Sequence, residues 1–352
     1  MDTNCEGKQS IMIKMQKDDK DLHKMYRQAA NAMRHGKNTP LYKISPEAYA
    51  MGLGTPKSLL NAEFHFFGTD NVKNAHAEEQ LLRDAGYIDE EDNLIPIIYK
   101  LNEYGYREQK DMSDLDNLEG VGDCILLTGN SAAFGTGYHE KDSFAASLEE
   151  ISGKPVYNLA VNLGGIKSSI RIIDAWSHIL KPLCAVTHLC WDTTRLEFDN
   201  KVQCGSHNWR RAFVEYHTDK DLIVGIGAKN SPAPRIKNGE LSGSKIHSQM
   251  VEMWERDMEE LLEKPNTVSL MWTVKDFRND YDVPESTMEK YSKHPNIVDC
   301  EWVFPPRDQG EEAMKAYCEE IPSRDTYHTT SKVLKDSAYK VVELMRKNKW
   351  IQ

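Results

Sequence analysis

Five short apolar runs punctuate the later two thirds of the chain: CILLT at 124–128, PVYNLAV at 155–161, LCAVTHL at 183–189, TVSLMWT at 267–273 and NIVDCEW at 296–302. Runs this short and this apolar read as strands buried on both faces, the habit of a parallel sheet. Helical spacing lies between them. Ile166, Ile170, Ile173 and Trp176 precede the third run, and Ile246, Met250, Met253, Trp254, Met258 and Leu261 precede the fourth. A last amphipathic helix is expected over 331–347, carried by Val333, Leu334, Ala338, Val341, Val342, Leu344 and Met345. Strand, helix, strand repeated in this way predicts an α/β sandwich with about five strands.

Two regions depart from this pattern. Residues 1–97 hold a charged amphipathic stretch (Leu22, Met25, Tyr26, Ala29 and Met33, closed by Gly36) and then loop-rich sequence with Pro40, Pro46 and Pro56. They are read as an N-terminal extension of unknown role, and 98–352 as the main domain. Residues 199–243 are polar and rich in Gly and Pro, with His207, Trp209, Tyr216 and His217. This is expected to be a long excursion over the strand ends, where loops shape substrate sites.

Composition narrows the function. With 44 basic and 55 acidic residues the net charge is -11, which argues against nucleic acid and anionic membrane surfaces as partners. No apolar stretch reaches the ~18 residues that would span a bilayer, and the N-terminus lacks the apolar run of a secretory signal, so a cytoplasmic location is expected. The seven cysteines are without CxxC spacing and read as structural thiols. Cys204-Gly205-Ser206-His207 has no second ligand pair, and Gly225-Ile226-Gly227 lacks the strand-helix setting of a dinucleotide site. No metal or organic cofactor is implied.

Two constellations carry chemistry. Directly after the first run comes Gly129-Asn130-Ser131-Ala132-Ala133-Phe134-Gly135-Thr136-Gly137. A serine on a strand-to-helix turn projects beyond the carboxyl end of the sheet, where following N–H groups can hold an oxyanion. The plainer alternative is a glycine-rich turn with a capping serine. Near the other end, Asp325-Thr326-Tyr327-His328 precedes the last helix. A histidine with a carboxylate three residues earlier can take a serine's proton while the aspartate fixes its tautomer; an exposed capping loop is the alternative. His188, inside an apolar run, reads as a core histidine.

Taken in order, LLTGNSAAFGTG, DSFAASLEE, KPVYNLAVNLGG and RDTYHTTSKVLKDSA resemble the blocks of the SGNH (GDSL-like) hydrolase superfamily, and Asn102-Glu103-Tyr104-Gly105-Tyr106-Arg107 resembles the N-x-x-G-(F/Y)-R segment of one bacterial branch. The resemblance spans residues 98–347. It implies a three-layer α/β/α sandwich with a flavodoxin-like parallel sheet, Ser131 as nucleophile, His328 as base and Asp325 as its orienting partner. It also implies an oxyanion hole made by the amides of Ser131 and of a second-block glycine. Gly164 is the first choice for the latter and Gly165 the second, since these glycines stand one residue later than in the common form. The implied activity is hydrolysis of a small-molecule or carbohydrate ester, an O-acetyl sugar being preferred. A non-catalytic binding or assembly protein and an acyltransferase on the same fold are the alternatives.

Two blocks depart from the pattern. Asn130 replaces the aspartate of Gly-Asp-Ser. The third block should supply Gly-x-Asn-Asp but reads Cys190-Trp191-Asp192-Thr193-Thr194-Arg195-Leu196-Glu197, similar to a W-x-x-x-R-x-E variant within the superfamily. Any third donor must then come from Asn130, Asn162, Thr193 or Thr194. Trp191, Arg195 and Trp209 are the substrate-loop candidates.

Overall fold

In a computed structural model of the chain the described residues are 63–66, 83, 87–90, 95, 97–161, 164–191, 197–198, 202–203, 245–273, 283–301, 312–313, 316 and 329–352. The amphipathic stretch at 22–36 and nearly all of the 199–243 excursion lie outside them.

The chain enters through an antiparallel pair, β1 (Glu63–Phe66) and β2 (Ile97–Lys100). The five apolar runs then form one parallel sheet of β3 (Ile125–Gly129), β4 (Val156–Asn158), β5 (Cys184–Cys190), β8 (Thr267–Thr273) and β9 (Ile297–Glu301), in the order β4-β3-β5-β8-β9. A two-residue ladder, β6 (Glu197–Phe198) with β7 (Val202–Gln203), stands apart. Counted along the sheet alone, the strand order is 2-1-3-4-5, the flavodoxin-like arrangement. The three central strands are buried on both faces because helices cover both. β9 alternates instead, exposing Asp299 and Glu301, and charge on an edge strand discourages further pairing.

Alternation along the strands sorts the core into two layers. Ile125, Leu127, Val186, Val268 and Leu270 pack against Phe144 and Leu148 of α2 (Phe144–Ser152) and Leu334, Val341, Val342 and Met345 of α6 (Ser331–Lys347). Leu126, Ala185, Leu189 and Met271 face the other way, onto Ile170, Ile173 and Trp176 of α3 (Ile166–Leu180), Trp254, Met258 and Leu261 of α4 (Lys245–Leu262), and Tyr291 of α5 (Glu285–Ser292). The predicted last helix forms over its whole expected length because Thr330 caps it, its hydroxyl accepting the Val333 N–H at 3.3 Å. Among the described residues no helix is long and apolar enough to cross a membrane.

Packing reaches back across residue 98. Tyr87, Ile97 and Tyr99 are fully buried in the α2/α6 layer. The Tyr87 hydroxyl donates to the Gly137 carbonyl at 3.2 Å, and the Gly137 N–H donates to the Tyr99 hydroxyl at 2.8 Å.

Candidate active site

The end of β3 is where the sheet opens. Gly129 has φ +136, and a Cβ there would stand 2.2 Å from the His188 carbonyl oxygen of β5, so only glycine lets the two strand ends approach this closely. Asn130 follows, almost fully buried. Its N–H donates to His188 O at 3.0 Å, and its Oδ1 accepts the Ala132 N–H at 3.0 Å, capping the four-residue helix α1 (Ser131–Phe134). The cap is therefore Asn130 and not Ser131. The amide also accounts for the departure from Gly-Asp-Ser: Nδ2 donates to the Cys190 sulfur at 3.2 Å, a bond that a carboxylate could not give.

Ser131 does not cap the helix that it begins. Along 124–138 it is the one residue not buried. Its amide occupies the first position of a helix, where no helical carbonyl can accept it. Its carbonyl accepts the N–H groups of Gly135 and Thr136 at 3.0 and 2.9 Å, closing a tight turn behind it.

The C-terminal carbonyls of α1 are met by side chains from elsewhere. Arg107, 4% exposed, donates Nη1 to the carbonyls of Gly135 at 2.5 Å and Phe134 at 3.3 Å, and Nη2 to that of Tyr138 at 3.0 Å, while its guanidinium lies 4.5 Å from the centre of the Tyr99 ring. Asn158 at the end of β4 donates Nδ2 to Ala133 O at 2.9 Å. Both are aimed by their surroundings. The Asn102 Oδ1 accepts the N–H groups of Tyr104 and Tyr106 at 3.0 Å each, and Gly105 takes φ +81, so N-x-x-G-Y folds into a loop that delivers Arg107. The Glu108 carboxylate accepts the N–H groups of Asn158 at 2.5 Å and Lys110 at 2.8 Å. Burial pushes the Glu108 carboxyl above the usual range, against the opposing pull of the Lys110 cation and these two bonds. A cleft of about 440 Å³ opens behind α1, lined by Arg107, Glu108, Lys110, Glu140, Glu149 and Asn158 among others.

The second-block glycines come up against the same strand end. A Cβ on Gly164 would meet Gly129 O at 2.2 Å, and Val161 N donates to that oxygen at 3.2 Å. The structure thus brings the Gly129–Ser131 turn and the Gly164–Gly165 turn together at one edge of the sheet. The Gly164 N–H donates to Val161 O at 2.6 Å, and the Gly165 N–H donates to Ser168 Oγ at 2.8 Å as α3 begins. Both expected oxyanion amides are therefore engaged within their own turn.

Of the remaining expected site residues, Asp325, His328, Asn162, Thr193, Thr194, Arg195 and Trp209 lie outside the described residues. Trp191, expected in a substrate loop, is 3% exposed: its indole N–H donates to Asp299 Oδ1 at 3.1 Å and its ring packs 5.7 Å from that of Trp254. It is a core residue at the end of β5. His188 is fully buried between the rings of Phe144 at 4.8 Å and Trp272 at 5.0 Å. Cys124, Cys184 and Cys300 are buried free thiols, the first two pushed up to about 11 and about 12 by burial. Sequence reasoning missed Tyr87, Tyr99, Glu108 and Asn158 as supports of α1; only the N-x-x-G-(F/Y)-R segment signalled Arg107.

No family model matches the chain, and no curated protein matches it. Among solved structures, a protein assigned to the G-D-S-L family of lipolytic proteins from Desulfitobacterium hafniense DCB-2 is similar at a TM-score of 0.35 and 12% identity, over 63% of this chain and 99% of that one. A gut microbial diltiazem-metabolizing enzyme is similar at a TM-score of 0.29 and 14% identity, over 63% of this chain and 47% of that one, so this chain spans about half of that enzyme's length. Likenesses at this level say nothing of what the chain does. Its fold stands on its own strand order: a parallel 2-1-3-4-5 sheet between two helical layers, with a Gly-Asn-Ser turn ending the first sheet strand, is the arrangement that the SGNH (GDSL-like) resemblance implies.

Proposed function

We propose that the chain is a serine esterase. The observation that carries this reading is that Ser131, at the carboxyl end of the first sheet strand, is the one residue of 124–138 not buried, in a turn whose cap is supplied by a different residue. In this reading Ser131 Oγ attacks an ester carbonyl while His328, held by Asp325, takes the hydroxyl proton. Collapse of the intermediate expels the alcohol, which receives that proton, and water then releases the acyl group as the acid. The Ser131 amide is the first oxyanion donor. Gly164 or Gly165 serves as the second only by exchanging its bond to Val161 O or Ser168 Oγ. Small esters are the substrates, O-acetylated sugars the preferred class, and a reducing cytoplasm suits the free thiols.

The engaged glycine amides, together with the third block that lacks asparagine, favour a second reading, a binding or assembly module on the same fold. A missing oxyanion donor costs about 2.7–4 kcal/mol of transition-state stabilisation. Labelling with a fluorophosphonate probe, alongside p-nitrophenyl acetate turnover, separates the two. A working esterase labels and turns over as wild type and does neither as Ser131→Ala or His328→Ala; a folded wild type that does neither is a binding module.

A further inference from the structure

The loop that follows the Ser131 helix ends on a fully buried tyrosine, Tyr138, whose hydroxyl donates to the backbone carbonyl of Thr329, 191 positions away. Thr329 follows His328 directly in the sequence. We propose that Tyr138 is a positioning residue: together with Arg107 it fixes the distance between the serine turn and the peptide that carries the histidine. The proposal rests on the esterase reading and deepens it.

The path from Ser131 to Thr329 is short and hydrogen-bonded throughout. Ser131 O accepts the Thr136 N–H at 2.9 Å, Gly135 O accepts the Tyr138 N–H at 3.2 Å, and the Arg107 guanidinium bridges the carbonyls of Gly135 and Tyr138. One buried cation therefore holds both the tail of the nucleophile helix and the backbone of the tyrosine that reaches Thr329. Beyond that carbonyl the chain is equally fixed, since Thr330 is fully buried and caps α6. A general base works only within ~2.6–3.2 Å of the proton it takes, and a misplacement of ~1 Å costs on the order of 100-fold in rate. In this largely apolar layer a phenylalanine would fill the space of the Tyr138 ring; the hydroxyl adds a link to Thr329.

Tyr138→Phe removes that link and keeps the ring. Tyr157→Phe is the matched control, because Tyr157 is as deeply buried and its hydroxyl donates to the Glu119 carbonyl at 2.7 Å, outside the serine turn. Wild type, both variants and Arg107→Lys are compared for fluorophosphonate labelling rate against pH and for kcat and KM on p-nitrophenyl acetate, with thermal melts establishing that each is folded. The expected result is a labelling rate and kcat lowered ~10- to 100-fold in Tyr138→Phe, with unchanged KM, a displaced alkaline-rising limb of the pH profile, and Tyr157→Phe near wild type. Arg107→Lys, which keeps the charge but loses the fork, falls between. Equal rates in Tyr138→Phe and wild type, equal losses in the two tyrosine variants, or a wild-type rate in Arg107→Lys should Tyr138→Phe not fold, each overturn the positioning role and leave the esterase reading standing. A wild type that does not label overturns the esterase reading and the positioning role with it.

Discussion

The two turns that meet at the carboxyl edge of the sheet are built by opposite means. The serine turn, 129–138, is held by side chains: Arg107 on three carbonyls, Asn158 on a fourth and two tyrosines on Gly137 arrive from other segments, and the turn's own Asn130 reaches across to Cys190. The glycines at 164–165 are held first by backbone contact, with Gly164 pressed on Gly129 O and its N–H spent on Val161 O, and then by the Ser168 and Ser169 hydroxyls of the helix they begin, which bond Gly165. A turn clasped by side chains can be loosened by degrees, one side chain at a time. Where backbones touch, as at Gly164 and Gly129, there is no room for an added carbon. Rigidity at the serine is thus distributed, while rigidity at the expected oxyanion amides is steric.

The sharpest way to break this comparison is to add one methyl group. In Gly164→Ala the new Cβ stands 2.2 Å from Gly129 O and 2.8 Å from Val161 O, both backbone atoms that cannot swing aside. A loss of about 3 kcal/mol or more is expected in chemical denaturation, the upper end for overpacking. A well-tolerated alanine would show that this turn moves easily, and its amides would then be open to an oxyanion. Next in size is Arg107→Met, which strips a buried cation from the carbonyls of Phe134, Gly135 and Tyr138 and leaves them dry. About 3 kcal/mol of destabilisation is expected from hydrogen bonds to a charged group, seen as a lowered denaturation midpoint.

What the sequence made legible follows the same division. The five runs became the five sheet strands, and the last helix formed over its expected span, because burial periodicity and a capping threonine are local signals. The serine turn was legible as glycine, asparagine and serine after an apolar run. Its clasps were not. Glu108 meets Asn158 across 50 positions and Tyr138 meets Thr329 across 191, and no spacing rule reaches that far. Trp191, named as a substrate-loop candidate from the third block, sits one place beyond a buried strand, and its indole N–H donates to Asp299 on the edge strand, a contact visible only once the strands are side by side. Asn130 was marked as a departure from the usual aspartate; the reason for it, the Cys190 sulfur on the neighbouring strand, appears only when β3 and β5 are side by side.

That residue supplies the third test. Asn130→Ala removes an N-cap from the serine helix and should cost about 1 kcal/mol by thermal melting, well below the loss from Arg107→Met if the clasp on the carbonyl end dominates. Equal losses would mean that α1 is held from both ends alike, which would sharpen the account of the serine turn.

The smallest effect is expected from Glu108, which supports the clasp at one remove by accepting the Asn158 and Lys110 N–H groups. Burial raises its carboxyl above the usual glutamate value, while Lys110, 3.8 Å away, acts in the opposite sense. A carboxyl raised on folding favours the folded state most where it is protonated in both states. Its contribution is therefore full below the unfolded value of ~4.3 and is lost as pH rises through the folded value above it. Glutamine at this position does not titrate. The difference in Tm between wild type and Glu108→Gln should therefore move against the wild type as pH rises from ~4.3 towards neutrality, by no more than about 4 °C for a domain of this size. A difference that stays flat would mean that the two N–H groups hold the carboxylate as comfortably charged as neutral; one that moves the other way would mean that Lys110 outweighs burial. In the second case the serine turn would be clasped in part by an ion pair where its other supports are buried hydrogen bonds, and salt would loosen it as it cannot loosen the backbone contact at Gly164.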